Sequence, residues 1–485
     1  MSSSQRYAEP HAQVLQPSSR SNRVADKPPC QPRYTEDMLF FEDNSDAIPI
    51  ELVGSETLES WRSEQDEKTL GWAVRTQFEG KANQHFFVPT TNEQSERVIA
   101  GIGERPSINS IGDLPITLPT GDYRLDNADR AVILGWGLGA YQFAAYKNVR
   151  ALPRLFVGAD AMDVSAELNA IALCRDLINT PTSDMLPHHL EGAARKLATR
   201  HNATMDVTTG NELLVRGLNI IHAVGRASSS APRLIDIRWG DPSAPAITLV
   251  GKGVCFDSGG LDLKSHSNMR LMKKDMGGAA TVLGLADLIM SRGLPLRLRV
   301  LIPAVENAVS ANAFRPGDVL HSYLGLTVEI DNTDAEGRLI LCDTLALAAE
   351  DNPVMIIDYA TLTGAARSAL GTDLPAMFSN SDKLATEVID SGISSEDPVW
   401  RMPLYSDYQV LLKSEIADIV NSANTPYGGA ITAALFLERF VGDVPWLHFD
   451  IMGWNLRKRP AHPEGGEAMA LRAVFEFLRR RYTDD

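Results

Sequence analysis

After Leu190 the chain alternates short apolar runs with longer segments whose apolar residues recur at helical spacing. This alternation restricts the fold more than any other feature of the sequence. Residues 246–250, 296–305, 327–330, 354–357 and 446–451 read as strands, and residues 277–290, 338–350 and 429–440 between them read as helices. Strands separated by helices join in parallel, so the expected fold class is α/β, with a mainly parallel central sheet flanked by helices. In open sheets of this kind, ligands bind outside the carboxyl ends of the strands.

The 485-residue length suits two domains. Residues 36–155 carry short apolar runs, such as 86–88 and 116–118, broken by polar turns, and are expected to form a small N-terminal α/β domain. A helix over 163–179, stopped by Thr180-Pro181, bridges into the larger C-terminal domain, residues 156–485. Residues 1–35 are rich in Ser, Gln, Pro and Arg without apolar period, and read as a disordered tail. The longest apolar stretch, 131–146, contains Gln142 and three glycines, so it reads as a helix packed inside the protein rather than a membrane span.

Acidic residues outnumber basic ones by 62 to 46, a net charge of -16 that repels phosphate backbones and argues against nucleic acid as a partner. Cys30, Cys174, Cys255 and Cys342 are scattered without a CxxC pair, which excludes a cysteine zinc site of the usual spacing and fits reduced thiols in the cytoplasm.

Charge is concentrated in two segments where packing would favour apolar residues. One runs Gly251-Lys252-Gly253-Val254-Cys255-Phe256-Asp257-Ser258-Gly259-Gly260 and on through Lys264 to Lys274-Asp275-Met276. The other is Asp331-Asn332-Thr333-Asp334-Ala335-Glu336-Gly337-Arg338. Singly, each charged residue is best explained as solvated loop or helix cap. Together, Asp257, Asp275, Asp334 and Glu336, with no histidine or cysteine partner, suit a hard, oxygen-ligated pair of divalent ions. Such a pair activates water near neutral pH, and a neighbouring Lys or Arg stabilises the oxyanion formed by attack on a carbonyl.

The segments VGKGVCFDSGG (250–260), KKDMGGAA (273–280) and NTDAEGRL (332–339) closely resemble signatures of the leucine (cytosol) aminopeptidase family of dinuclear zinc exopeptidases. Asn179-Thr180-Pro181, Asp358-Tyr359-Ala360-Thr361-Leu362-Thr363-Gly364 and Tyr427-Gly428-Gly429-Ala430-Ile431-Thr432-Ala433 extend the resemblance over residues 160–460. It implies that the C-terminal domain is catalytic and removes N-terminal amino acids from peptides. By the resemblance, Lys252, Asp257, Asp275 and Glu336 hold one metal, while Asp257, Asp334 and Glu336 hold a more exchangeable one. Zn²⁺ or Mn²⁺ is implied, with Mg²⁺ or Co²⁺ as substitutes. Lys264 is implied to polarise the scissile carbonyl, and Arg338 to hold a bicarbonate that serves as general base. Met272, Thr361, Leu362, Gly364 and Met452 are implied to line the pocket for the first side chain, with Asn455 as further wall, and the assembly to be a homo-hexamer.

Two departures bear on specificity. Ser265-His266-Ser267-Asn268 follows Lys264 where the family commonly has proline, and Met452 stands where many members have a small residue. Both leave the preference for leucine open. A narrow dipeptidase or amidase, or a catalytically silent scaffold, are the competing readings. All seven polar residues are retained, which disfavours the scaffold.

Overall fold

The computed structural model describes residues 39–89, 95–158 and 164–483. The tail expected at 1–35 lies outside the described residues.

The small domain is built on a six-stranded sheet in the order Leu39–Phe40, Arg154–Phe156, Asp122–Arg124, Ile48–Gly54, Ser95–Gly103, His85–Pro89. Its pairs are parallel except the outermost, His85–Pro89 with Ser95–Gly103. The apolar stretch expected to be helical over 131–146 forms a helix only at Arg130–Gly139, and the chain after Tyr141 runs out to the surface. The glycines explain both the shortening and the packing. They are poor helix formers, yet a Cβ on Gly139 would stand 1.7 Å from the Gly112 carbonyl oxygen, and one on Gly135 2.1 Å from that of Ile108. Only glycine lets this helix press backbone to backbone against residues 108–112.

The larger domain centres on a nine-stranded sheet. Four strands at its middle, Trp446–Asp450, Met355–Ala360, Ala246–Gly251 and Arg297–Asn307, run parallel as expected. Antiparallel neighbours flank them: Ala376–Ser379 on one side, Arg233–Trp239 and then Thr204–Thr209 on the other. The sequence reading did not anticipate these flanking strands. The charges in Arg233–Trp239 obscure its pattern, because Asp236 is spent on Arg299 of the neighbouring strand, 2.7 Å away, and both are buried.

Successive residues of the central strands point into different cores. Ile247, Leu249, Val300, Ile302 and Ile357 face a layer that includes helices Ser165–Asn179 and Gly277–Ser291. Val250, Leu301 and Ile356 face the layer of Glu336–Glu350 and Gly429–Glu438. Period-two alternation thus separates the two faces, and each is closed by a helix whose apolar residues almost encircle it.

Ala246–Gly251 and Gly253–Asp257 pair with successive halves of the same strand, Arg297–Asn307. The interruption falls at Lys252, whose N–H donates instead to the Tyr359 carbonyl at 2.9 Å.

A buried ion pair lies at the junction of the two domains. Arg175 donates to the carbonyls of Leu138 (2.9 Å) and Ala461 (3.0 Å) and stands 3.1 Å from Glu467. Burial opposes the charge on Glu467, but Arg175 and His462 outweigh it and hold the carboxyl down at about 2. Removing one member of such a pair leaves a buried charge uncompensated. Glu467→Ala is therefore expected to lower unfolding free energy by about 3–5 kcal/mol, measured by urea denaturation.

Candidate metal centre

Several of the predicted site residues lie where parallel strands of the nine-stranded sheet end. Asp257 closes Gly253–Asp257, Thr361 follows Met355–Ala360, and Met452 follows Trp446–Asp450. Glu336 opens the helix Glu336–Glu350.

Carboxylate oxygens of Asp257, Asp334 and Glu336 come within 4.8 Å of one another. Asp275 joins them through Lys252, whose Nζ stands 2.8 Å from Asp275 Oδ2 and 2.9 Å from Glu336 Oε1. Lys264 Nζ stands 2.8 Å from Asp257 Oδ2 and also pairs with Asp334. The structure therefore brings together Lys252, Asp257, Lys264, Asp275, Asp334 and Glu336, and all but Lys264 and Asp334 are buried.

Four carboxylates face two ammonium groups, and the shortfall of positive charge shows in their chemistry. Burial and the neighbouring Asp257 push the Asp334 carboxyl up to about 6 and raise that of Glu336 well above its ordinary value. Burial works against charge on Lys252, yet Asp275, Glu336 and Asp257 together raise its proton affinity. Both oxygens of Glu336, Oδ1 of Asp334 and Oδ2 of Asp275 are buried without a hydrogen-bond donor aligned on them, although the ammonium groups lie within ion-pairing distance of three of them. Unsatisfied, electron-rich oxygens converging from several elements are what divalent cations require. The residues present fit a metal centre.

Gly337 explains how Lys252 reaches it. A Cβ on Gly337 would stand 2.6 Å from Lys252 Cε and 2.7 Å from its Nζ. The lysine stem passes through the space that any other residue would fill.

Other polar residues hold the ligands in place; of these, sequence reading singled out only Thr361, and for the pocket rather than for this task. Asn307 Nδ2 donates to Asp257 Oδ1 (2.8 Å) and to the Thr333 carbonyl (3.1 Å). Thr361 Oγ1 donates to Asp275 Oδ1 at 2.7 Å. Asp262 accepts from the Thr333 N–H at 2.7 Å, and its own N–H donates to Thr333 Oγ1 at 2.9 Å, so the loop before Lys264 is clasped to the loop bearing Asp334. Ser265 to Asn268, the departure that follows Lys264, are exposed beyond that clasp and do not enter the cluster.

Asn421 is fully buried. Its Oδ1 accepts from the N–H groups of Asp331 (2.9 Å) and Asn332 (3.2 Å), and its Nδ2 donates to the Asn332 carbonyl at 2.7 Å. Its backbone carbonyl accepts from Arg338 Nη1 at 2.7 Å. An asparagine amid Ser, Ala and Thr at 422–425 gives no sequence signal of such a task.

Arg338 is buried beside the cluster, and its Nε has no hydrogen-bond partner among the described residues. Burial brings its proton affinity down to about 10 against the pull of Glu336 and Asp450, leaving it charged at neutral pH.

Of the pocket candidates, Thr361 touches this centre directly through its bond to Asp275. Thr361 turns its methyl toward Gly277 and Gly453, where a Cβ on either would stand 3.1 Å away. Met272 is half-buried, and Gly364 is exposed at the start of the helix Gly364–Leu370. Met452 is buried in one hydrophobic core, and Leu362 packs against the other while its N–H donates to Asp450 at 3.0 Å. Asn455 is buried with its amide nitrogen committed to the carbonyls of His462 and Pro463.

A test of the glycine passage is Gly337→Ala. Alanine favours the helix by about 1 kcal/mol but displaces Lys252, so bound metal measured by elemental analysis is expected to fall while the helical circular dichroism signal persists.

Residues 172–475 match the model of the cytosol aminopeptidase family, catalytic domain, and residues 48–157 match that of the M17 aminopeptidase N-terminal domain. A probable cytosol aminopeptidase of Geobacter sp. (strain M21) is 39% identical over 384 residues, covering 75% of this chain and 78% of the relative. The crystal structure of the cytosol aminopeptidase from Coxiella burnetii superposes with a TM-score of 0.88 at 47% identity, covering 92% of this chain and 99% of that one. The bottromycin maturation enzyme BotP in complex with Mn superposes with a TM-score of 0.80 at 31% identity, covering 91% of this chain and 100% of that one.

Proposed function

The chain belongs to the cytosol aminopeptidase family, and from that premise we propose which of its residues carry the reaction. It is a metal-dependent aminopeptidase acting on the N-termini of peptides. The observation behind the assignments is the convergence of Asp257, Asp334 and Glu336, with the oxygens of Glu336, on which no hydrogen-bond donor is aligned, at its heart.

One divalent ion is assigned to Lys252, Asp257, Asp275 and Glu336. A second, more exchangeable one is assigned to Asp257, Glu336 and Asp334, the last through carboxylate and main-chain carbonyl. When bound, such a pair supplies Lewis acidity and a water that ionises near neutral pH. Zn²⁺ or Mn²⁺ is the proposed occupant, and the Mn in the related BotP complex supports the latter; Mg²⁺ or Co²⁺ are substitutes.

Lys264 donates to the carbonyl oxygen as negative charge develops there. Its place between Asp257 and Asp334 puts an ammonium group at the rim of the cluster. Arg338 is assigned to hold bicarbonate, the general base toward water. Its Nη1 is fixed by Asn421, and the unpartnered Nε leaves a donor for an anion. Met272, Thr361, Leu362, Gly364 and Met452 are assigned to receive the first side chain. The catalytic domain is taken to span 156–485, the small domain 36–155, and the working form to be a cytoplasmic homo-hexamer. No helix among the described residues is long and apolar enough to cross a membrane.

With Mn²⁺ or Zn²⁺ the purified protein is expected to release aniline from aminoacyl anilides, to lose that activity on chelation, and to spare N-acetylated substrates. Equal cleavage of acetylated substrates would refute the aminopeptidase assignment. Asp257→Ala and Glu336→Ala are each expected to lose metal and activity together. Lys264→Ala is expected to retain metal, measured by elemental analysis, while kcat falls on the order of 100-fold, the scale of losing one oxyanion donor.

A further inference from the structure

Asn421 is fully enclosed, and each of its polar groups is committed. It follows directly on the strand Ile419–Val420, which pairs in parallel with Val328 and Glu329. Its N–H extends that ladder by donating to the Glu329 carbonyl at 3.0 Å. The side chain then turns onto the loop that leaves the neighbouring strand. Oδ1 accepts from two consecutive N–H groups, those of Asp331 and Asn332, and Nδ2 donates back to the Asn332 carbonyl. Asn332 passes the constraint on, because its own Oδ1 accepts from the Asp334 N–H at 2.7 Å.

Arg338 is held from the same residue. Its Nη1 donates to the Asn421 carbonyl, and among the described residues no carboxylate lies within ion-pairing distance of the guanidinium. The choice of a carbonyl matters. A carboxylate in that place would fix the guanidinium equally well but neutralise it, whereas a neutral acceptor orients the fork and leaves its charge for an anion. Asn421 thus ties two groups with different assignments to a single point. The ladder between Ile419–Val420 and its neighbour would hold the backbone without any side-chain amide. A buried amide is destabilising unless every bond is made, so its use here trades tolerance for a fixed geometry. Reacting groups must be held within about 0.5 Å of their productive placement, which is the need such a geometry serves.

We propose that Asn421 is a positioning residue for the hydrolytic reaction. Its side-chain amide fixes the loop that presents Asp334, and its main-chain carbonyl fixes the guanidinium of Arg338. The anion held by Arg338 and the metal held by Asp334 therefore keep one spacing. The proposal rests on the assignment of the more exchangeable metal to Asp334 and of bicarbonate to Arg338, and it adds the residue that couples the two.

The test compares the full chain with its Asn421→Ala and Asn421→Asp variants. Mn²⁺ is titrated calorimetrically into the metal-free proteins, and kcat and KM on the Leu anilide are measured at saturating Mn²⁺ over a series of bicarbonate concentrations. Asn421→Ala is expected to weaken the more exchangeable site by about tenfold, the scale of one net hydrogen bond to the loop, and to leave the tighter site unchanged. The bicarbonate concentration giving half-maximal kcat is expected to rise by about tenfold on the same scale, with KM unchanged. Asn421→Asp keeps the shape and the acceptor for Asp331 and Asn332 but sets an oxygen against the Asn332 carbonyl. It is expected to show the circular dichroism of the unsubstituted protein and the same shift in bicarbonate dependence, so the proposal stays open to refutation if the alanine variant does not fold. A lower melting temperature with both dependences unchanged would make Asn421 purely structural and overturn the proposal, leaving the assignments of Asp334 and Arg338 standing. A shift in only one of the two would overturn the common anchoring in the same way. An unsubstituted enzyme whose kcat is indifferent to bicarbonate, or full retention of both metals by Asp334→Ala, would refute those assignments and the proposal with them.

Discussion

The gathering of four carboxylates, three of them buried, at one sheet edge is the constraint around which the rest of the active region is arranged. Such a cluster cannot be left to itself in a low-dielectric interior. The chain answers with two ammonium groups, and each is placed by a separate device. Lys252 comes from a break in the sheet and threads past Gly337. Lys264 comes from a loop clasped by Asp262 and Thr333. The first device makes no sense as a contribution to stability alone, because a strand without the break and a helix without the glycine would both be sturdier. The surplus negative charge that remains is the property that a metallo-aminopeptidase exploits.

Much of this was legible beforehand, and the reasons are physical. Strands at the middle of a parallel sheet are buried on both faces, so 246–250 and 446–451 stand out as apolar runs. Long buried helices such as Gly277–Ser291 keep their period and their apolar character. The charged residues were conspicuous for the opposite reason, as charge directly following apolar strands. The flanking strands were hidden because charges that pair internally, Asp236 with Arg299, look like surface residues in a one-dimensional string. The helix over 131–146 was overextended because apolar character alone does not reveal that Gly135 and Gly139 serve a backbone contact.

Residues that hold other residues were the least visible. Asn307, Asp262 and Asn421 come from distant parts of the chain, and each does its work through hydrogen bonds to loop backbone or to a ligand carboxylate. Asn, Asp and Thr occur so often in ordinary turns that nothing in their identity marks them.

The clasp between Asp262 and Thr333 has a thermodynamic corollary. Because it ties the Lys264 loop to the Asp334 loop, the two cannot open independently. A ligand that favours the closed arrangement of either loop stabilises both, and by mass action the gain grows with its free concentration. Heat resistance in this protein is thus expected to depend on the medium as well as on the chain, rising with the free divalent ion that the solution supplies.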